Sequence, residues 1–229
     1  MLKFFRTIRK KLIEQNNVRK YILYAIGEIL LVVVGILIAL QVNNWNEERK
    51  TQRSETQFIE NITSDLKRDK NELRKVVDLA NRKVEIFQQM ESELPGLYYS
   101  NKNQLDSLMM EYLTPLQTFF PLTGTFDAAV SGNEISAYRN EVFKSRVFNL
   151  YNALYSRLDR NMDIIIDRWD YFVKTYKYER LKGELGQMDD ADLKELIGDL
   201  AYMTTIYEFY RDRLLDTELE IQAILDGEN

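Results

Sequence analysis

The chain has 229 residues and contains neither cysteine nor histidine. Without cysteine there is no thiolate nucleophile and no disulfide, and without histidine the side chain that titrates nearest neutral pH is missing. The usual transition-metal ligands go with them, so any proton chemistry must rest on carboxylates, lysines or tyrosines. Only three prolines and nine glycines are present, too few for a fold of many short strands and tight turns; this is the composition of long helices. Lack of cysteine is compatible with export, because a domain large enough to pack a core does not need disulfide staples.

Charge is unevenly placed. Residues 1–20 carry seven basic side chains against one acidic, a net +6, while the remainder carries 24 against 35, a net −11. A large acidic portion argues against a nucleic-acid partner. Between the two lies YILYAIGEILLVVVGILIALQV, Tyr21 to Val42, in which Glu28 is the only charge. At about 1.5 Å per residue this run reaches roughly 33 Å, the thickness of a bilayer core. Some 14 Leu, Ile and Val residues, each favouring insertion by about 0.3–0.6 kcal/mol, outweigh roughly 3 kcal/mol for one buried carboxylate. Tyr21, Tyr24 and Trp45 stand where interfacial aromatics belong.

The sequence therefore predicts a transmembrane helix over 21–43. Residues 1–20 precede it as a basic cytoplasmic tail or interfacial helix, and 44–57 follow as a polar helical stalk. The basic flank places the N-terminus in the cytoplasm and the bulk of the chain outside, in the periplasm if the cell is bacterial. No small-x-small cleavage site follows Ala39, so an uncleaved anchor is expected. Glu28 is the candidate functional residue of the span, because an ionisable group in hydrocarbon needs a partner. Gly27, Gly35 and Ala39 fall on one helical stripe, beside that of Glu28, and offer small side chains for close approach of a second helix.

Residues 58–229 read as an extracytoplasmic helical bundle. Phe58 or Ile59, then Ile62, Leu66, Leu73, Val76, Ala80, Val84 and Phe87 recur at helical steps, with Asp69 interrupting the stripe. This helix is expected to end near Glu93, before Pro95 and Gly96. A second helix is predicted over 103–113 and a short one from Thr125, its cap, to Val130, with Gly132 left-handed behind it. A long helix follows over 136–182, with Phe143, Val147, Leu150, Leu154, Leu158, Met162, Ile165, Trp169, Phe172 and Tyr176 at heptad-like spacing and ended by Gly183 and Gly186, and a last one over 190–225 with Leu193, Leu196, Leu200, Met203, Tyr207, Tyr210, Leu214, Ile221 and Ile224. The fold class is all-α: one membrane helix, then an elongated antiparallel bundle of three long helices plus short ones. Phe119, Phe120 and Phe126, in the least regular stretch, are candidates either for a partner surface or for plugging the bundle.

No catalytic, cofactor or metal motif is present. In MDDADLKEL, Lys194 occupies the position where a calcium loop requires glycine. The segment Gly27–Lys50, with the Lys-Phe-Phe-Arg start and TFDAAVSGNEIS over 125–136, resembles an uncharacterised bacterial family of single-span, membrane-anchored helical proteins. That resemblance implies a bacterial inner-membrane protein and carries no activity. Taken together, the expected role is non-enzymatic: an anchored interaction protein, with the lipid bilayer, itself or another membrane protein as partners and no small-molecule substrate. The alternatives are an auxiliary subunit of an ion-driven or transport machine using Glu28, and a helical periplasmic sensor. Topology is testable because there is no native cysteine. In cells with a permeabilised outer membrane, an impermeant thiol reagent should label the Ser136→Cys protein and leave Thr7→Cys unlabelled; the opposite pattern reverses the orientation.

Overall fold

The computed structural model describes residues 18–114, 117–176 and 188–227. Every regular element among them is helical, so the protein is all-α. The chain divides into two units, 1–54 and 55–229. Helix α1, Val18–Ser100, contributes to both. It is followed by α2 (Lys102–Leu113), α3 (Gly124–Ser131), a 3₁₀ turn (Ile135–Ala137), α4 (Glu141–Asn149), a π turn (Leu150–Tyr155), α5 (Ser156–Tyr176) and α6 (Asp190–Gly227). The N-terminal part of α1 is a helix long and apolar enough to cross a membrane.

In the unit 55–229 the expected apolar stripes are buried. Phe58, Ile62, Leu66, Leu73, Val76, Ala80, Val84 and Phe87 of α1 face the core, and so do Leu193, Leu196, Leu200, Met203, Tyr207, Tyr210 and Leu214 of α6. The direction of each limb follows from its hydrogen bonds. Asp65 accepts from Thr125 and Lys83 donates to Glu111, so α2 and α3 return antiparallel to α1. Glu55 accepts from the Asn140 amide, and Asp69 from Tyr155, so α4 and α5 run parallel to α1. Arg74 pairs with Glu218 and Arg146 bonds the Ala223 carbonyl, and α6 therefore descends again. The expected helical class holds, and the bundle has one limb more than the three long helices supply. The short elements between α1 and α4 form a full returning limb, which makes an up-down-up-down arrangement and leaves the first and third limbs parallel.

Local departures have local causes. The helix does not stop near Glu93 but continues through Pro95 and Gly96 to Ser100. Proline lacks the N–H of a helical turn and costs roughly 3 kcal/mol inside a helix. Burial of Leu94, Leu97 and Tyr98, at about 1.5–3 kcal/mol per large apolar side chain, more than offsets it. Gly132 is right-handed with φ −75°; the left-handed residue is Asn133, φ 54°, a residue type that tolerates that region. Thr125 does not cap α3, which begins at Gly124 after Thr123; its hydroxyl donates to Asp65 at 2.6 Å instead. The long helix predicted over 136–182 begins only at Glu141, where the Asn140 side chain accepts from the Phe143 amide at 3.1 Å. Its predicted end at Gly183 and Gly186 lies outside the described residues, as does the predicted interfacial helix near the start. Asp189 caps α6 by accepting from the Ala191 and Asp192 amides at 2.8 and 2.9 Å, which accounts for the acidic cluster there.

Lys83, 5% exposed, closes the end of α2. Its ammonium donates to the carbonyls of Glu111, Tyr112 and Thr114 at 2.7, 2.6 and 2.5 Å. All three N–H groups are thereby used, on carbonyls that a helix C-terminus leaves without intrahelical partners. Burial pushes Lys83 down to about 8, with Glu111 pulling the other way, so at neutral pH it still carries its proton. Lys83→Met keeps the apolar stem but strands those carbonyls. It should lower unfolding stability by about 2–4 kcal/mol, as expected for a buried, charged hydrogen-bonding group, in chemical denaturation of the full chain in detergent. Arg82→Ala, at the solvent-exposed Glu111 pair, should change stability far less.

Candidate functional site

Three groups of residues combine chemistry or exposure that the packing of the bundle alone does not account for. The first lies on α1. Gly27, Gly35 and Ala39 are exposed, Glu28 half-buried, and their apolar neighbours are uncovered, with Ile29 at 65% and Leu31 at 70% exposure. A Cβ built on Gly27 or Gly35 would meet nothing within 4 Å. Among the described residues, no packing requires glycine at either position.

The second group is the phenylalanine trio, which the structure separates. Phe119 is 3% exposed and packs 5.5 Å from the Tyr155 ring. Phe126 is 6% exposed and stacks on Tyr151 at 4.4 Å, with planes 12° apart. Both are core residues and are unavailable to a partner, because the returning limb turns them toward α4 and the π turn. Phe120 alone of the three is exposed.

The third group was not singled out from sequence as a site. Asp69, 2% exposed, accepts from the Leu122 amide at 3.0 and 3.3 Å through its two oxygens and from the Tyr155 hydroxyl at 2.8 Å. Tyr151 donates to the carbonyl of the same Leu122 at 3.1 Å. The Phe119 amide donates to the Tyr210 hydroxyl at 3.3 Å. Residues 117–123 form no helix, and these side chains supply partners that helical neighbours cannot, since their own backbone groups are already paired. The π turn brings both tyrosines into place. Its wider turn buries Leu150, Tyr151 and Tyr155 together and leaves Leu154, expected in the core, only half-buried.

Burial pushes Asp69 up to about 6, against the lowering effect of the Tyr155 and Leu122 bonds. Burial also drives Tyr155 and Tyr151 well above the ordinary phenol range, and the Asp69 charge adds to this. The two phenols therefore stay protonated and act as donors. The cluster can hold or release one proton at the carboxylate, and it offers no activated nucleophile. Among the described residues, no three Asp or Glu side chains are grouped so as to hold a metal ion. The signal in the sequence was Asp69 itself, a lone acid in an otherwise apolar stripe.

The family model described as "Family of unknown function (DUF6090)" matches residues 28–197, well over half of the chain. The protein belongs to the DUF6090 family. No curated protein and no solved structure matches it. The DUF6090 match takes in Glu28, Gly35 and Ala39 on α1, together with Asp69, Lys83, the phenylalanine trio and the π turn, and leaves most of α6 outside. Family and fold together thus frame both candidate regions without assigning either a chemistry.

The burial pattern separates the phenylalanines experimentally. Phe119→Ala and Phe126→Ala should each cost about 3–5 kcal/mol of stability through lost burial and the cavity left behind. Phe120→Ala should stay within about 0.5 kcal/mol, as exposed substitutions do. Denaturant midpoints at constant m-value read the difference.

Proposed function

We propose that this chain is a membrane-anchored, non-enzymatic interaction protein, its N-terminal helix crossing a bilayer and its helical domain engaging a partner outside the cytoplasm. The observation that carries this reading is the N-terminal apolar window, none of which is buried among the described residues. Contiguous apolar surface of this extent is not left in water; it is covered by lipid or by protein. The basic flank of residues 1–20 supports an orientation with that end in the cytoplasm, by the bias of Lys and Arg toward cytoplasmic loops. The resemblance noted in the sequence supports a bacterial inner membrane. The absence of histidine and cysteine from the chain and the lack of an activated nucleophile in the buried cluster support a binding role over a catalytic one.

Within the span, Glu28 and the uncovered Gly27, Gly35 and Ala39 are the proposed contact with a second transmembrane helix, from another copy or another membrane protein. Small side chains admit close backbone approach, and a carboxylate in hydrocarbon gains most from a partner there. A subunit of an ion-driven machine is the second reading, favoured by the position of the single carboxylate in the span.

The anchor is tested by separating cell membranes and washing them with carbonate. The protein should stay in the pellet, and recovery in the supernatant sinks the proposal. Gly35→Leu should reduce co-purification with the partner, or with a differently tagged copy, by tenfold or more in mild detergent. Glu28→Gln distinguishes the two readings: a packing role predicts weakened association, whereas a protonation role predicts an intact but inactive complex.

A further inference from the structure

We propose that Asp69 is a proton-sensitive latch on the 117–123 segment: the neutral acid lets that segment seal against the bundle, and the ionised form loosens it. The geometry makes one buried carboxyl the shared anchor of two elements, the Leu122 amide of the segment and the Tyr155 hydroxyl of the π turn. A carboxyl protonated on Oδ2 still accepts from the Leu122 amide through Oδ1, and its single bond with Tyr155 is kept with the direction reversed, the carboxyl O–H donating to the phenol oxygen. Sealing therefore survives protonation. Ionisation instead leaves a charge 2% exposed with a phenol and an amide as its donors and no salt-bridge partner among its hydrogen bonds, and such a charge regains hydration only if the segment opens.

The surrounding charges do not remove this bias. On its own helix Asp69 feels Asp65, which opposes ionisation, and Arg68, which favours it only as the smallest of the influences on it. From α3, Asp127 adds negative charge beside Tyr151. The π turn presents only the protonated Tyr151 and Tyr155. From the remaining limbs, Tyr210 of α6 reaches the segment through the Phe119 amide, with Asp159 of α5 acting on it. Residues 117–123 contain no titratable side chain. Desolvation thus holds the closed-state carboxyl near 6 against 3.8 for an exposed one. The sign follows: closure is fully favoured below 3.8, and that advantage is lost as pH rises through 6. Opening would uncover Phe119 and the Asp69–Tyr155 pair.

The test is amide hydrogen exchange of the full chain in detergent micelles, following a peptide that covers 117–123 and correcting for the pH dependence of intrinsic exchange. By linkage the opening equilibrium of this segment should rise about tenfold from pH 5 to pH 7.5, while α6 stays level. In Asp69→Asn the rise should vanish. Tyr155→Phe removes a bond that holds the carboxyl down, so it should move the midpoint of the rise to higher pH; this variant decides the matter if Asp69→Asn fails to fold. A wild-type segment whose opening is independent of pH, an Asp69→Asn protein that keeps the rise, or an unmoved midpoint in Tyr155→Phe overturns the latch.

Discussion

The bundle depends on satisfying the backbone of one irregular stretch. Helices saturate their own N–H and C=O groups, so a non-helical segment packed among them finds no backbone partners and must take them from side chains. Lys83 closes the carbonyls at the end of α2, Asp69 and Tyr151 hold the two sides of Leu122, and Tyr210 receives the Phe119 amide. With those bonds in place the stretch can act as part of a returning limb, and that limb sets α4 and α5 parallel to α1. The buried polar residues are therefore where the topology is specified, and they are also where one charge change has the largest effect.

Side-chain networks elsewhere in the domain extend the same logic. Tyr112 and Thr204 share a buried hydrogen bond at 2.8 Å, tying α2 to α6. Tyr98 bonds both the carbonyl and the amide of Met188 at 3.0 and 2.8 Å, fixing the entry to α6 beside the end of α1. Arg168 and Tyr176 both reach Asp199, joining α5 to α6. The abundance of tyrosine, 14 residues, suits a core of this kind, because each ring supplies apolar area together with one polar atom that can reach a backbone group.

Two apolar surfaces that differ in burial coexist in one chain. The stripes of 55–229 are covered by one another, whereas the apolar window of α1 before residue 43 is not buried among the described residues. Membership of the DUF6090 family joins the greater part of both regions in one match, so the apolar helix and the helical domain belong together as a unit of description. Lipid as the cover for the first surface, and a partner helix at Glu28, remain the proposed reading of that pairing.

Helical class, the apolar run with its single carboxylate, and the buried faces of α1 and α6 were legible in the sequence, because helical periodicity is a local property that burial merely reads out. Phe58, Leu66, Leu200 and Leu214 face inward as their spacing required. What only the tertiary structure decided was non-local. The run through Pro95 to Ser100 depends on the burial of Leu94 and Leu97, and the fates of Phe119, Phe120 and Phe126 depend on which way the returning limb turns. The π turn that exchanges Leu154 for Tyr155 depends on Asp69, 86 residues away. No local pattern carries such information, since the energy that selects these conformations comes from contacts between residues far apart in the chain.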